Sequence, residues 1–207
     1  MHLRSVLAGA VAIAFCGPAR ADVIDTRGMQ PHEQCAYCHE LDGNSRMPRF
    51  PRLAGQSVTY LAKQLGDFRA GRRDNDGGAM SGIAETLSDE DAVSIARHFA
   101  AQAPRTMAGG IDGDTQAGRR LYFEGRPSVA ACASCHESAS PVVAGAPLIT
   151  GQHAAYLEKQ LLDFKRGARR NDPQGVMHRI AGALEEREIR ALAAFVSGMP
   201  VMTGSFK

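Results

Sequence analysis

Tryptophan is absent from this 207-residue sequence, and aromatic residues make up only 6% of it. So little aromatic material suits small helical domains whose cores are completed by a bound cofactor better than one large self-sufficient core. The length allows one ordinary domain or two small ones. An excess of one charge sign is also lacking, with 24 Lys and Arg against 22 Asp and Glu. That balance does not point to nucleic acid or anionic lipid as the main partner. No segment alternates apolar and polar residues as a half-buried strand does. A long apolar run is missing too. Leu7 to Phe15 is well short of the roughly 18–20 residues a membrane-spanning helix needs.

That short run lies between Arg4 and the small-x-small sequence Ala19-Arg20-Ala21, the layout of a cleavable signal peptide over residues 1–21. A lipoprotein anchor through Cys16 is disfavoured because bulky Phe15 precedes it. Cleavage predicts a mature chain from Asp22 with no transmembrane helix, exported to the periplasm. It removes Arg4 and Arg20, leaving 22 basic against 22 acidic residues, and it removes Cys16. Four cysteines remain, in two close pairs.

What is present is a repeat with a period of about 96–97 residues. Cys35-Ala36-Tyr37-Cys38-His39 returns as Cys132-Ala133-Ser134-Cys135-His136. The Pro51–Gln56 segment returns as Pro147–Gln152, and Tyr60-Leu61-Ala62-Lys63-Gln64-Leu65 as Tyr156-Leu157-Glu158-Lys159-Gln160-Leu161. Phe68, Gly71, Asn75-Asp76 and Met80 return as Phe164, Gly167, Asn171-Asp172 and Met177. The chain is a duplicated domain. Residues 103–113, rich in glycine and without apolar periodicity, read as a linker, which places the domains at 22–102 and 114–207.

Each copy carries helical punctuation. Leu61, Leu65 and Phe68, and again Leu157, Leu161 and Phe164, recur at helical spacing. Gly71 and Gly167 stand where a left-handed terminating residue belongs. Ser88 with Asp91 forms a capping box for a helix through Ile95 and Phe99, and Ile189, Leu192 and Val196 mark its counterpart. The class is all-α. The copies differ at the front: Gln116 to Glu124 suits a helix ahead of the second cysteine pair, whereas Gly28 and Pro31 argue against a full helix ahead of the first.

Two cysteines three apart lie on one face of a helical turn, with the next histidine four from the first. Two thiols so placed can add to the two vinyl groups of a haem while the imidazole reaches the iron. Cys35, Cys38, Cys132 and Cys135 are therefore candidates for covalent attachment of two haem c groups, and His39 and His136 for axial ligands. A zinc ribbon uses cysteine pairs about 15–20 residues apart, not in separate domains. A thioredoxin-like dithiol needs a βαβ context, and disulfides between cysteines so close would be strained. Met80 and Met177 each follow their histidine by 41 residues (39 to 80, 136 to 177). A thioether opposite an imidazole closes the iron and raises its potential. His178 is a rival ligand in the second copy only. Met47, Met107, Met199 and Met202 have no repeat partner and read as filler or surface.

Other residues keep two readings. The carbonyls of Pro51 and Pro147 can accept the Nδ1 hydrogen of the preceding histidine, or these are turn prolines. Arg69, Arg72 and Arg73, with Lys165, Arg166, Arg169 and Arg170, complement helix dipoles, pair with haem propionates, or do both. His32, His98 and His153 lack repeat partners and read as surface residues.

These motifs resemble the di-haem cytochrome c4 family of class I c-type cytochromes, over nearly the whole mature chain. The resemblance implies two class I cytochrome c folds in tandem with haem edges close enough for internal electron transfer. It also implies a periplasmic carrier between quinol-oxidising complexes and a terminal oxidase or reductase. The short front of the first copy departs from it. An electron carrier without substrate chemistry is the leading expectation. A cytochrome subunit of a periplasmic dehydrogenase, or a di-haem oxidoreductase acting on thiosulfate or peroxide, are the alternatives. Residues 22–104 hold 9 basic and 12 acidic side chains and residues 105–207 hold 13 and 10, so the molecule is an electric dipole whose second half suits an acidic partner.

Overall fold

Capping chemistry sets where the helices begin and end. The computed structural model describes residues 28–105, 114–137 and 145–201; the expected signal peptide, Met107, Met202 and most of the linker lie outside these. In the first half, α1 (Ala36–His39) is one turn. The longer α2 (Val58–Arg69) begins at Ser57, whose side chain accepts from the Tyr60 amide, and stops before Gly71 at φ 66°. Next come α3 (Ala79–Ala84) and α4 (Asp89–Ala100), the latter opened by the Ser88–Asp91 capping box.

The second half starts with an extra helix, α5 (Thr115–Phe123), capped by the Asp114 carboxylate on the amides of Gln116 and Ala117. It continues through α6 (Ala133–His136), α7 (Ala154–Arg166), ended by left-handed Gly167, a 3₁₀ turn at Pro173–Gly175, α8 (Val176–Ala183) and α9 (Glu186–Gly198). Among the described residues there is no strand, only an isolated bridge between Arg126 and Val129. The all-α expectation holds.

Each half has its own core. In the first, Cys35, Leu61, Leu65, Leu87, Ile95 and Phe99 are buried together, with Met80 packed against them. In the second, Leu121, Tyr122, Leu157, Leu184, Ile189, Leu192 and Val196 form the cluster, joined by Cys132 and Ile180. The densest helix pairing is α5 on α9. Gly118 permits it: a Cβ there would sit 2.1 Å from the Ala191 carbonyl oxygen, closer than any side chain can approach. Among the described residues the first half has no equivalent of α5. Turns at 28–35 precede its cysteines, and the imidazoles of His32 and His98 stack there at 3.8 Å between centroids.

The two halves meet through polar groups related by an approximate two-fold. The Gln56 side chain donates to the Leu148 carbonyl (2.9 Å) and accepts from its amide (3.0 Å). Gln152 does the same to Arg52, at 3.0 and 2.9 Å. Beside this clasp, Arg73 is buried and donates to Gln64 (2.8 Å), Tyr156 (3.0 Å) and Gln160 (3.1 Å). Arg169 mirrors it on Gln160 (2.8 Å), Tyr60 (3.2 Å) and Gln64 (3.1 Å). Each guanidinium also lies 4.6 Å over its own half's ring, Phe68 or Phe164. A buried cation is tolerable only when so many dipoles face it.

Candidate haem sites

One loop per half ties the histidine to the opposite half. Gly55 and Gly151, both at φ 68°, donate their amides to Phe99 on α4 and Val196 on α9, at 3.0 Å each. The loop so pinned presents a proline carbonyl on one side and the clasping glutamine on the other. His39 Nδ1 donates to the Pro51 carbonyl at 2.8 Å, and His136 Nδ1 donates to Pro147 at 2.8 Å. Of the two proline readings, the histidine-orienting one is what the geometry shows. With the proton on Nδ1, the lone pair is on Nε2, the tautomer a metal-binding imidazole needs.

Burial sets the chemistry of these turns. It holds the His39 and His136 imidazoles below their ordinary 6.5, against the opposing pull of the proline carbonyls. It pushes the Cys35 and Cys132 thiols up to about 11. Thiols held protonated are the opposite of the activated thiolates of dithiol redox motifs or zinc sites. Among the described residues no three His, Cys, Asp or Glu side chains converge as a metal-binding group. Two thiols and one imidazole on a single turn, with the first thiol, Cys35 or Cys132, against an apolar core, suit a haem.

The two methionines stand on short helices that begin at left-handed glycines, Gly78 for α3 and Gly175 for α8. Asp76 caps the Met80 amide, and Asp172 caps the amide of His178 at 3.0 Å. Met80 packs on the cluster that holds Cys35. Met177 is half-buried one turn ahead of Ile180 but is not itself packed on the second cluster. His178, the rival ligand, is exposed and turns Nδ1 onto the Phe164 carbonyl at 2.8 Å.

One expectation is corrected. His153 is not a surface residue: it is 8% exposed and hydrogen-bonds across the interface to Ser45 and Arg52. The paired cations find protein partners of their own. Arg73 and Arg169 are the interface network above. Arg69 pairs with Asp89, Arg72 with Asp67, and Arg166 with Glu186, while Lys165 and Arg170 donate to backbone carbonyls. Sequence reasoning missed the clasp and this network. The signal was present: Gln56, Gln64, Lys63, Tyr60 and Asn75 all recur in the second copy, although polar side chains have no reason to recur on a solvated face.

Residues 115–200 match the cytochrome c family model, and the same donor turn occurs in both halves, which defines a c-type cytochrome. Over 203 residues the chain is 37% identical to cytochrome c4 of Azotobacter vinelandii, covering 91% of this chain and 95% of that one. It is 35% identical over 204 residues to a thiosulfate dehydrogenase electron acceptor of Stutzerimonas stutzeri, covering 93% and 94%. The crystal structure of reduced recombinant cytochrome c4 from Pseudomonas stutzeri superposes with a TM-score of 0.70 at 37% identity, over 80% of this chain and 93% of that one. The chain belongs to the cytochrome c4 family. It is an electron-transfer protein rather than an enzyme, and its cofactors are two covalently attached haem c groups.

Proposed function

We propose that Cys35 and Cys38 in the first half, and Cys132 and Cys135 in the second, form the thioethers, with His39 and Met80, and His136 and Met177, as axial ligands. The matched 2.8 Å contacts from histidine Nδ1 to a proline carbonyl carry this reading. They aim Nε2 without using it, as expected where the ligand's other nitrogen is engaged. When bound, haem supplies a one-electron couple. His39 and His136 would offer the iron a fixed tautomer and ring angle, Met80 and Met177 would offer a soft sulfur, and the surrounding core would exclude water. Each half acts as one domain, residues 22–102 and 114–207 joined by 103–113, released into the periplasm after loss of residues 1–21. Among the described residues no helix is long and apolar enough to cross a membrane.

The carrier takes electrons from a quinol-oxidising complex or a periplasmic dehydrogenase and passes them to a terminal oxidase or reductase. The similarity to a thiosulfate dehydrogenase electron acceptor favours the dehydrogenase as donor. The more basic second half suits an acidic partner, so association rates should fall as salt rises. Protein matured in a host able to attach haem, followed by mass spectrometry and an optical and near-infrared redox titration, tests the assignment. Two haem adducts and two histidine–methionine spectra are expected. Bare thiols, or rapid cyanide binding to either iron, would overturn it.

A further inference from the structure

The approximate two-fold breaks at one place in the interface. Arg52 and His153 have as repeat counterparts Leu148 and Ser57, so the contact between them has no mirror image. Arg52 Nη2 lies 3.5 Å from His153 Nδ1, while His153 Nε2 is 2.8 Å from the Ser45 carbonyl. A carbonyl only accepts, so Nε2 carries the proton and Nδ1 presents a lone pair to the guanidinium. The other terminal nitrogen of Arg52 donates to the Gly151 carbonyl, and its Nε is buried without a partner among the described residues. None of these groups is anionic. Arg105 lines the same crevice, but Asp42 pairs with it at 3.2 Å; Arg46, next to Ser45, is exposed. Arg52 is thus a partly buried cation with no ion pair among the described residues, one peptide bond from the proline carbonyl that orients His39. The corresponding place beside His136 is held by a leucine.

We propose that Arg52 and His153 form an electrostatic tuner for the first haem site alone: the guanidinium raises that site's potential, and proton uptake at His153 Nδ1 raises it further. This rests on the axial assignment proposed above. A fixed cation disfavours the oxidised, more positive iron and therefore favours reduction. One electron delivered by a redox protein partner to the first site is compensated by up to one proton taken from solvent onto Nδ1. Protonation also costs the acceptor that holds Arg52, so the two cations then face each other across the interface. Burial first, and then Arg52, hold the His153 value below the ordinary histidine range, with the Ser45 carbonyl opposing. The proton-linked change accordingly falls on the acid side of that range.

The holoprotein tests this through its two midpoint potentials, each assigned by its own haem resonances in NMR and followed from about pH 5 to 8. Haem content is measured first, because a wild type without two haems defeats the ligand assignment and not the tuner. Arg52→Leu, which installs the second half's residue, should lower the first potential and leave the second in place, and Arg52→Lys should retain most of the wild-type value. His153→Ser should flatten the pH slope of the first potential only. Equal movement of both potentials, no movement in Arg52→Leu, or an unchanged slope in His153→Ser overturns the proposal. If Arg52→Leu does not accumulate, the His153→Ser slope decides the outcome.

Discussion

The second half closes its front with a helix, and the first closes the same place with a pair of imidazoles. On α9, Phe195 meets Tyr122 and Phe123 of α5 in an aromatic cluster with centroids 4.9–6.0 Å apart. His98 holds the repeat position of Phe195, and His32 stacks on it. His98 Nε2 also donates to the Leu41 carbonyl at 3.0 Å, holding the chain just beyond His39, the proposed ligand. Tyr37 and Leu41, on either side of that ligand, are 57% and 58% exposed. The comparison teaches that the same place in a duplicated fold can be closed by a helix over an apolar face or by stacked imidazoles beside a polar one. Ser94 and Arg97, exposed on α4, stand at the repeat positions of buried Ala191 and Ala194. Among the described residues, the first half therefore has a titratable pair where the second has apolar rings.

Removing each cofactor should break the comparison most visibly. Cys35→Ala with Cys38→Ala leaves one haem by mass, and hydrogen exchange should then show protection lost throughout α2 to α4. Cys132→Ala with Cys135→Ala also leaves one haem, but α5 and α9 should stay partly protected by their own packing. Equal losses would mean the extra helix contributes nothing without haem.

A buried interface arginine comes next. Arg73→Met takes from Tyr156, and Arg169→Met from Tyr60, its arginine partner, and each removes one of the donors shared by Gln64 and Gln160, at about 2–4 kcal/mol in denaturant unfolding. The two-fold predicts similar losses and strong coupling in a double-mutant cycle. Gly118→Ala is expected to cost about 1–3 kcal/mol by overpacking against the Ala191 carbonyl, with exchange accelerated in the second half only.

The smallest effect is on pH. Burial first, and then His98, hold the His32 value below that of a free histidine, with Glu33 opposing. The unfolded chain therefore binds the proton more readily than the folded one. Stability of the first half should fall as pH drops through the ordinary histidine range toward the lower native value. His98→Phe, which supplies the second half's residue, should reduce that acid sensitivity in thermal unfolding monitored from about pH 5 to 8.

Much of this was legible in the sequence. Five contiguous residues, repeated, named the cofactor chemistry; Ser88 with Asp91, Gly71 and Gly167 marked helix ends; Gln116 to Glu124 announced α5 almost to the residue. All of these signals are local, with donor and acceptor within a few positions. The roles of His153, Arg73 and Arg169 were hidden because their partners lie about 85–110 residues away, in the other copy, where periodicity carries no information. Arg73 beside a helix end reads as a dipole partner until Tyr156 is seen against it.

The amide clasp has one more consequence. Gln56 and Gln152 grip main chain, the NH and CO of Leu148 and Arg52, and so hold those residues whatever side chains they bear, proline excepted. A joint built this way is indifferent to substitution at the very positions it binds. The union is secured by main-chain atoms that every amino acid but proline possesses, and each partner is left at liberty to diversify.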